Sequence, residues 1–127
     1  MAQFEVMDIK DFQCNPFDKI GKEWFLLTAE KEGKVNTMTA AWGGLGVIWN
    51  CNVAYIVVRQ SRYTKEMIDG SGYFTMSFFE DKKYRKMLGY MGTVSGRDED
   101  KIEKEYQNND YHSMNIGEIT KILKKVK

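Results

Sequence analysis

Six consecutive residues, Arg59-Gln60-Ser61-Arg62-Tyr63-Thr64, set two guanidinium groups beside the hydroxyls of Ser61 and Thr64. An apolar run precedes them, and Tyr63, Met67 and Ile68 follow at helical spacing, so they mark where a buried strand exits and a helix starts. A phosphate suits such a junction, because guanidinium forks neutralise it bidentately and the first amides of the helix add their dipole. The plainer reading is that Ser61 caps the helix and both arginines are solvated. A second constellation is Asn36-Thr37-Met38-Thr39-Ala40-Ala41-Trp42-Gly43-Gly44. Its amide, hydroxyl and thioether groups, with two glycines that let another body approach the backbone, could line a flat heterocycle. It reads equally well as a half-buried strand with Trp42 in the core.

A third candidate is Gly92-Thr93-Val94-Ser95-Gly96-Arg97-Asp98, with Lys101 a turn later. Its glycines and capping hydroxyl form an amide-rich concavity able to hold an anion or a carbonyl oxygen. A helix cap explains Ser95 and Asp98 as well, but Arg97 and Lys101 at i and i+4 repel unless something negative lies opposite. The only histidine, His112, reads as a hydrogen-bonded structural residue, and no Ser, Cys or carboxylate spacing makes a hydrolytic triad.

The elements that must position these residues belong to one domain spanning 1–127, since 127 residues suit a single core. With 43% hydrophobic and 13% aromatic residues the chain builds that core without disulfides. Nineteen Lys and Arg against 18 Asp and Glu argue against a nucleic-acid arm or a polybasic membrane patch, so any anion is held locally. Acidic and basic residues throughout the first twenty leave no secretory h-region, which gives a cytoplasmic expectation. Cys14 and Cys51 lie far apart without ligand spacing and read as free thiols, with no metal site. The uncharged stretch from Val35 to Val58 has a membrane span's length, but its asparagines, threonines and glycines exclude one.

That stretch reads instead as strands 35–42 and 53–58, joined by a glycine-rich bend with a short strand through 47–49. Residues 24–29 form a hairpin with 35–42 across a charged turn at 30–34 that contains Gly33. Residues 73–79 alternate Phe74, Met76 and Phe78 with Thr75 and Ser77, a strand with one greasy face. Helices are expected over 61–69, ending at Gly70, over 81–88, ending at Gly89, and from Ser95 to about Glu105. The tail from Asn115 to Val126 fits either a helix or an edge strand, with periodicity alone favouring the helix.

Taken in order, Asn15-Pro16-Phe17, Asn36-Thr37-Met38-Thr39 with Trp42-Gly43-Gly44, Arg59 to Thr64, Tyr73 to Phe79, Ser95-Gly96-Arg97-Asp98 with Lys101, and His112 with Ile116-Gly117-Glu118 resemble the flavin reductase-like family in its flavoredoxin branch. Order and spacing match through about Glu105 and again from Asp110. The resemblance implies a mainly β fold with flanking helices, an FMN-binding split β-barrel of Greek-key type, working as a homodimer with FMN as cofactor. Carried onto this sequence, it puts Asn36, Thr37, Met38 and Thr39 at the isoalloxazine edge with Trp42 close to the ring. Arg59, Ser61, Arg62, Tyr63 and Thr64 bind the phosphate, Ser77, Ser95 and Gly96 add polar contacts, Lys101 balances charge, and His112 approaches the flavin. The implied function is redox work, electron transfer with a partner protein or a reduced nicotinamide, or reduction of free flavin. The other class is a shortened binding or oligomerisation module without redox activity. Between Glu105 and Asp110 the sequence lacks room for two further strands of the family pattern, so the barrel is expected to be open, closed by the tail, or completed by a partner chain.

Overall fold

The computed structural model describes residues 3–59, 62–79, 82–93 and 112–126. The chain is mainly β, with strands β1 (Gln3–Met7), β2 (Phe25–Lys31), β3 (Lys34–Ala40), β4 (Gly43–Ile48), β5 (Cys51–Arg59), β6 (Thr75–Phe78), β7 (His112–Glu118) and β8 (Ile122–Val126). The α-helices are α1 (Pro16–Gly21), α2 (Tyr63–Ser71) and α3 (Arg85–Thr93). The strands make two three-stranded antiparallel sheets, β3-β2-β6 and β4-β5-β7, and a two-stranded ribbon, β1-β8. The sheets do not close into a barrel among the described residues.

Both long hairpins turn on two residues in the left-handed region. Glu32 (φ 53°) and Gly33 (φ 81°) join the paired Lys31 and Lys34, and Trp49 (φ 52°) and Asn50 (φ 60°) join the paired Ile48 and Cys51. Two positive φ values give the turn twist that matches the strands on either side. The first hairpin is the expected one with a tighter turn. The second replaces the expected bend and short strand with a full six-residue strand.

Strand alternation then builds the core. Directly opposed residues share a face, so Phe25, Leu27 and Ala29 of β2 lie with Ala40, Met38 and Asn36 of β3 on the inner face. Phe25, Leu27, Ala29 and Met38 join Ile56 and Val58 of β5, Met67 and Ile68 of α2, and Ile20 of α1 in one buried cluster. Leu26, Thr28, Thr37 and Thr39 take the opposite face, where the Thr39 hydroxyl donates to the backbone carbonyl of Leu88 in α3. Thus α2 covers one side of the β2–β3 hairpin and α3 touches the other.

The short α1 starts with Asn15 accepting from the Phe17 amide at 3.0 Å and Pro16 at its first position, where the missing N–H costs nothing. Its far end is fixed by Arg85, whose Nη1 donates to the carbonyls of Lys22 at 2.7 Å and Glu23 at 3.2 Å while the guanidinium stacks 3.4 Å over Trp24.

Two expectations are corrected, and the open alternative in the tail is decided. Helix α2 runs past Gly70 and ends at Gly72, which takes the left-handed C-cap (φ 78°) and donates to the Ile68 carbonyl at 2.8 Å. Helix α3 continues through Gly89, after a 3-10 turn at Lys82–Tyr84. The tail is two strands and no helix. Strand β5, rich in Val and Ile, offers an edge that β7 fills in register from Val53–Glu118 to Arg59–His112, and β8 pairs with β1. Pairing with distant edges outweighs the local helical period there. The helix expected from Ser95 to about Glu105 lies outside the described residues.

Candidate functional site

The end of β5, the start of β7 and the start of α2 meet. Arg59, the last residue of β5, stands opposite His112, the first of β7. The His112 ring packs against Trp42 with centroids 4.9 Å apart and planes tilted 42°. Trp42 is held through its carbonyl, which accepts from the Val57 amide at 3.1 Å, yet its side chain remains 55% exposed. The chain turns out of β5 with the Arg62 amide donating to the Arg59 carbonyl at 3.1 Å, and Arg62 is the N-cap of α2. Its side chain makes no capping hydrogen bond, while its carbonyl accepts from the Lys65 amide at 3.1 Å. Two guanidiniums, a helix start and an aromatic pair therefore share one end of the β4-β5-β7 sheet.

Thr64, in the first turn of α2, is 1% exposed, and its hydroxyl accepts from Asn36 Nδ2 at 2.8 Å. This bond ties α2 to β3. Tyr63 packs against the core cluster, and Met38 lies within it, so the Met38 thioether faces the protein interior.

The Asn36-Thr37-Met38-Thr39 run is split by strand geometry. Asn36 and Met38 point to the α2 side, while Thr37, bonded to Thr28 Oγ1 at 2.9 Å, and Thr39, bonded to Leu88, point to the α3 side. Ser77 pairs with Leu26, which pairs with Thr39, so the Ser77 side chain also belongs to the Thr39 face, two strands away. Among the described residues β3 is an edge strand, and its edge is the one line from which residues of both faces are reachable. The glycines after Trp42 do not leave an open approach. A Cβ at Gly43 would overlap the Tyr55 carbonyl oxygen, and one at Gly44 would strike the Tyr55 ring, so the body that approaches this backbone is the chain's own neighbouring strand. Ser61, Ser95, Gly96 and Lys101 lie outside the described residues.

One group here escaped the sequence reading. Lys65, 8% exposed, is held by both carboxylate oxygens of Asp69 one turn on, and Asn115 Nδ2 of β7 lies 3.5 Å from Asp69 Oδ1. The Asn115 Oδ1 is buried with no hydrogen-bond partner among the described residues. These three side chains join α2 to the strand that carries His112. The Lys65–Asp69 spacing of i and i+4 was the available signal, but on a surface helix it describes an ordinary solvated pair. Among the described residues no cluster of His, Cys, Asp and Glu could hold a metal ion, and no helix is long and apolar enough to cross a membrane.

No protein-family model matches the sequence, and no curated protein does. Solved structures do match. A flavoredoxin from Methanosarcina acetivorans is 34% identical over 62% of this chain and 41% of its own, with a TM-score of 0.54. The flavoredoxin of Desulfovibrio vulgaris (Miyazaki F) is 29% identical over 65% of this chain and 44% of its own, with a TM-score of 0.52. An FMN-binding domain of a flavin reductases-like enzyme from Shewanella baltica OS155 covers 96% of this chain and 77% of its own at 14% identity, with a TM-score of 0.66, and shows that the fold is shared along almost the whole length. The chain spans less than half the length of the two flavoredoxins. Its architecture is that of the FMN-binding split barrels, with the sheets unclosed among the described residues.

Proposed function

Structural likeness supports a place for this chain in the flavin reductase-like/flavoredoxin family, and from that premise we propose that it is an FMN-binding flavoprotein with redox activity. The observation that carries the reading is the β5–α2 junction, where Arg59 and Arg62 flank a helix start without a side-chain cap. A phosphate dianion fits that junction, since two guanidiniums match its charge and the first-turn amides match its oxygens. From there a flat ring running along the open edge of β3 meets residues of both faces, with the exposed indole of Trp42 and the His112 ring nearby. Thr64 and Met38 serve the site as support, since one is buried beneath Asn36 and the other lies in the core. The cofactor supplies the electron chemistry when bound. The chain's residues hold its charge, shape its surroundings and set how easily negative charge develops at the ring, because donors and cations near it favour the reduced form.

The working unit in this reading is a homodimer. Phe4, Val6 and Leu123 on the β1-β8 ribbon and Met114 and Ile116 on the outward face of β7 are all exposed in the single chain. A two-stranded ribbon is marginal in water on its own, and a second copy of the chain is the partner that sequence economy supplies.

The test is an absorbance spectrum of the purified protein titrated with FMN, FAD and riboflavin, followed by addition of a reduced nicotinamide or dithionite. The reading expects saturable FMN uptake with perturbed flavin bands that bleach on reduction. Flavin spectra that stay those of the free molecules at all concentrations would overturn it and leave a split-barrel module without redox work.

A further inference from the structure

Asn36 and Thr64 both belong to the candidate site, yet their strongest interaction is with each other. Asn36 Nδ2 donates to Thr64 Oγ1 at 2.8 Å, across 28 residues of sequence, and Thr64 is 1% exposed. Asn36 sits on the inner face of edge strand β3, opposite Ala29. Thr64 sits in the first turn of α2, two residues after the Arg62 N-cap. One of the two amide N–H groups of Asn36 is spent on the helix, and the Thr64 hydroxyl that accepts it is buried between strand and helix. We propose that Asn36 is a positioning residue acting through Thr64: it fixes the first turn of α2 against β3 and so presets Arg62 and the helix amides for the cofactor phosphate.

The physical basis is preorganisation. A helix start that is already held at the binding angle does not have to be ordered when the anion arrives, so the hydrogen bond raises affinity without touching the ligand. Because the held part is the phosphate end, the effect falls on FMN and spares riboflavin, which has the same ring and ribityl chain without the phosphate. A direct contact from Asn36 to the ring would act on both ligands alike.

The inference rests on the FMN reading, and the experiment separates the two. FMN and riboflavin affinities are measured by flavin fluorescence for the wild type, Asn36→Ala, Thr64→Val and the double variant, with Thr64→Ser as the conservative control. Loss of one neutral hydrogen bond should weaken FMN binding roughly threefold to tenfold in each single variant. Riboflavin affinity should stay within about twofold, Thr64→Ser should bind FMN nearly as the wild type does, and Asn36→Ala should add little in the Thr64→Val background. Equal losses for FMN and riboflavin, or additive losses in the double variant, would overturn the positioning role while leaving FMN binding intact. A wild type that binds no FMN would overturn the functional reading and this inference together. If Asn36→Ala does not fold, the near-isosteric Asn36→Leu decides the same question through its FMN-to-riboflavin ratio.

Discussion

In the β2–β3 hairpin the residues at positive φ are Glu32 and Gly33, and in the β4–β5 hairpin they are Trp49 and Asn50. The backbone solves the two turns alike, but the surroundings differ. The first hairpin buries Phe25, Leu27, Ala29 and Met38 beneath α2 and meets α3 on its other side, so of its apolar residues only Val35, beside the turn, is exposed. The second ends in Val47, Ile48 and Trp49, all exposed, with Trp49 93% so, and its sheet continues into the exposed Met114 and Ile116 of β7. A bulky residue in the left-handed region is strained, and nothing within the described residues covers this one. One half of the molecule is thus nearly complete as a single chain, while the other leaves apolar side chains exposed among the described residues, the surface that the proposed homodimer would cover.

The largest expected effect breaks the complete half. Leu27→Ala removes a side chain with no exposed surface from the centre of the core and should cost about 2–5 kcal/mol in denaturant unfolding, at any protein concentration. Gly43→Ala comes next, at roughly 1–3 kcal/mol, because the added methyl meets the Tyr55 backbone and the two strands must separate to admit it. The same variant should disturb Trp42 and with it the indole's contact with His112, visible as a shift in tryptophan emission.

Smaller effects sharpen the other half. Ile116→Ser and Leu123→Ser alter side chains more than half exposed in the single chain, so a monomer should lose no more than about 0.5 kcal/mol from each. In the proposed homodimer both should lower the melting temperature further and abolish its dependence on concentration, which the wild type should show because association and folding are linked. A wild-type melting temperature unchanged over a hundredfold dilution would remove the dimer. Smallest of all, Glu32→Asn relieves a left-handed residue at no packing cost and should stabilise by up to about 1 kcal/mol.

Much of the complete half was legible. The alternation in 73–79 and the hairpin around Gly33 are local patterns with local causes, as is the strand expected over 53–58 in the other half, and the structure contains all three with shifted ends. Gly70 misled because a glycine in sequence does not say whether its φ is left-handed. Here Gly72 takes that conformation, and Gly70 lies where the Lys31 side chain crosses the helix. The tail is ambiguous in sequence because its partners, β5 and β1, lie about sixty and a hundred and twenty residues away, and no window of sequence contains them. At the site, the structure sets the Trp42 ring against His112, His112 opposite Arg59, and Arg62 at the start of α2 just beyond it. The division of Asn36 and Met38 from Thr37 and Thr39 was already implicit in strand alternation. The Lys65–Asp69–Asn115 link was hidden, since a lysine near a helix start gives no hint that it will be buried or that its carboxylate partner will meet β7.

The central claim, that the β5–α2 junction holds the phosphate of FMN, is tested most directly by titrating wild type and Arg62→Ala with FMN and with riboflavin under identical conditions. The account predicts saturable FMN binding at least roughly tenfold tighter than riboflavin in the wild type, and a loss of about 1.5–3 kcal/mol in FMN affinity with riboflavin unchanged in the variant. Equal affinity for the two ligands in the wild type, or an Arg62→Ala protein that still prefers FMN by the same margin, would contradict it.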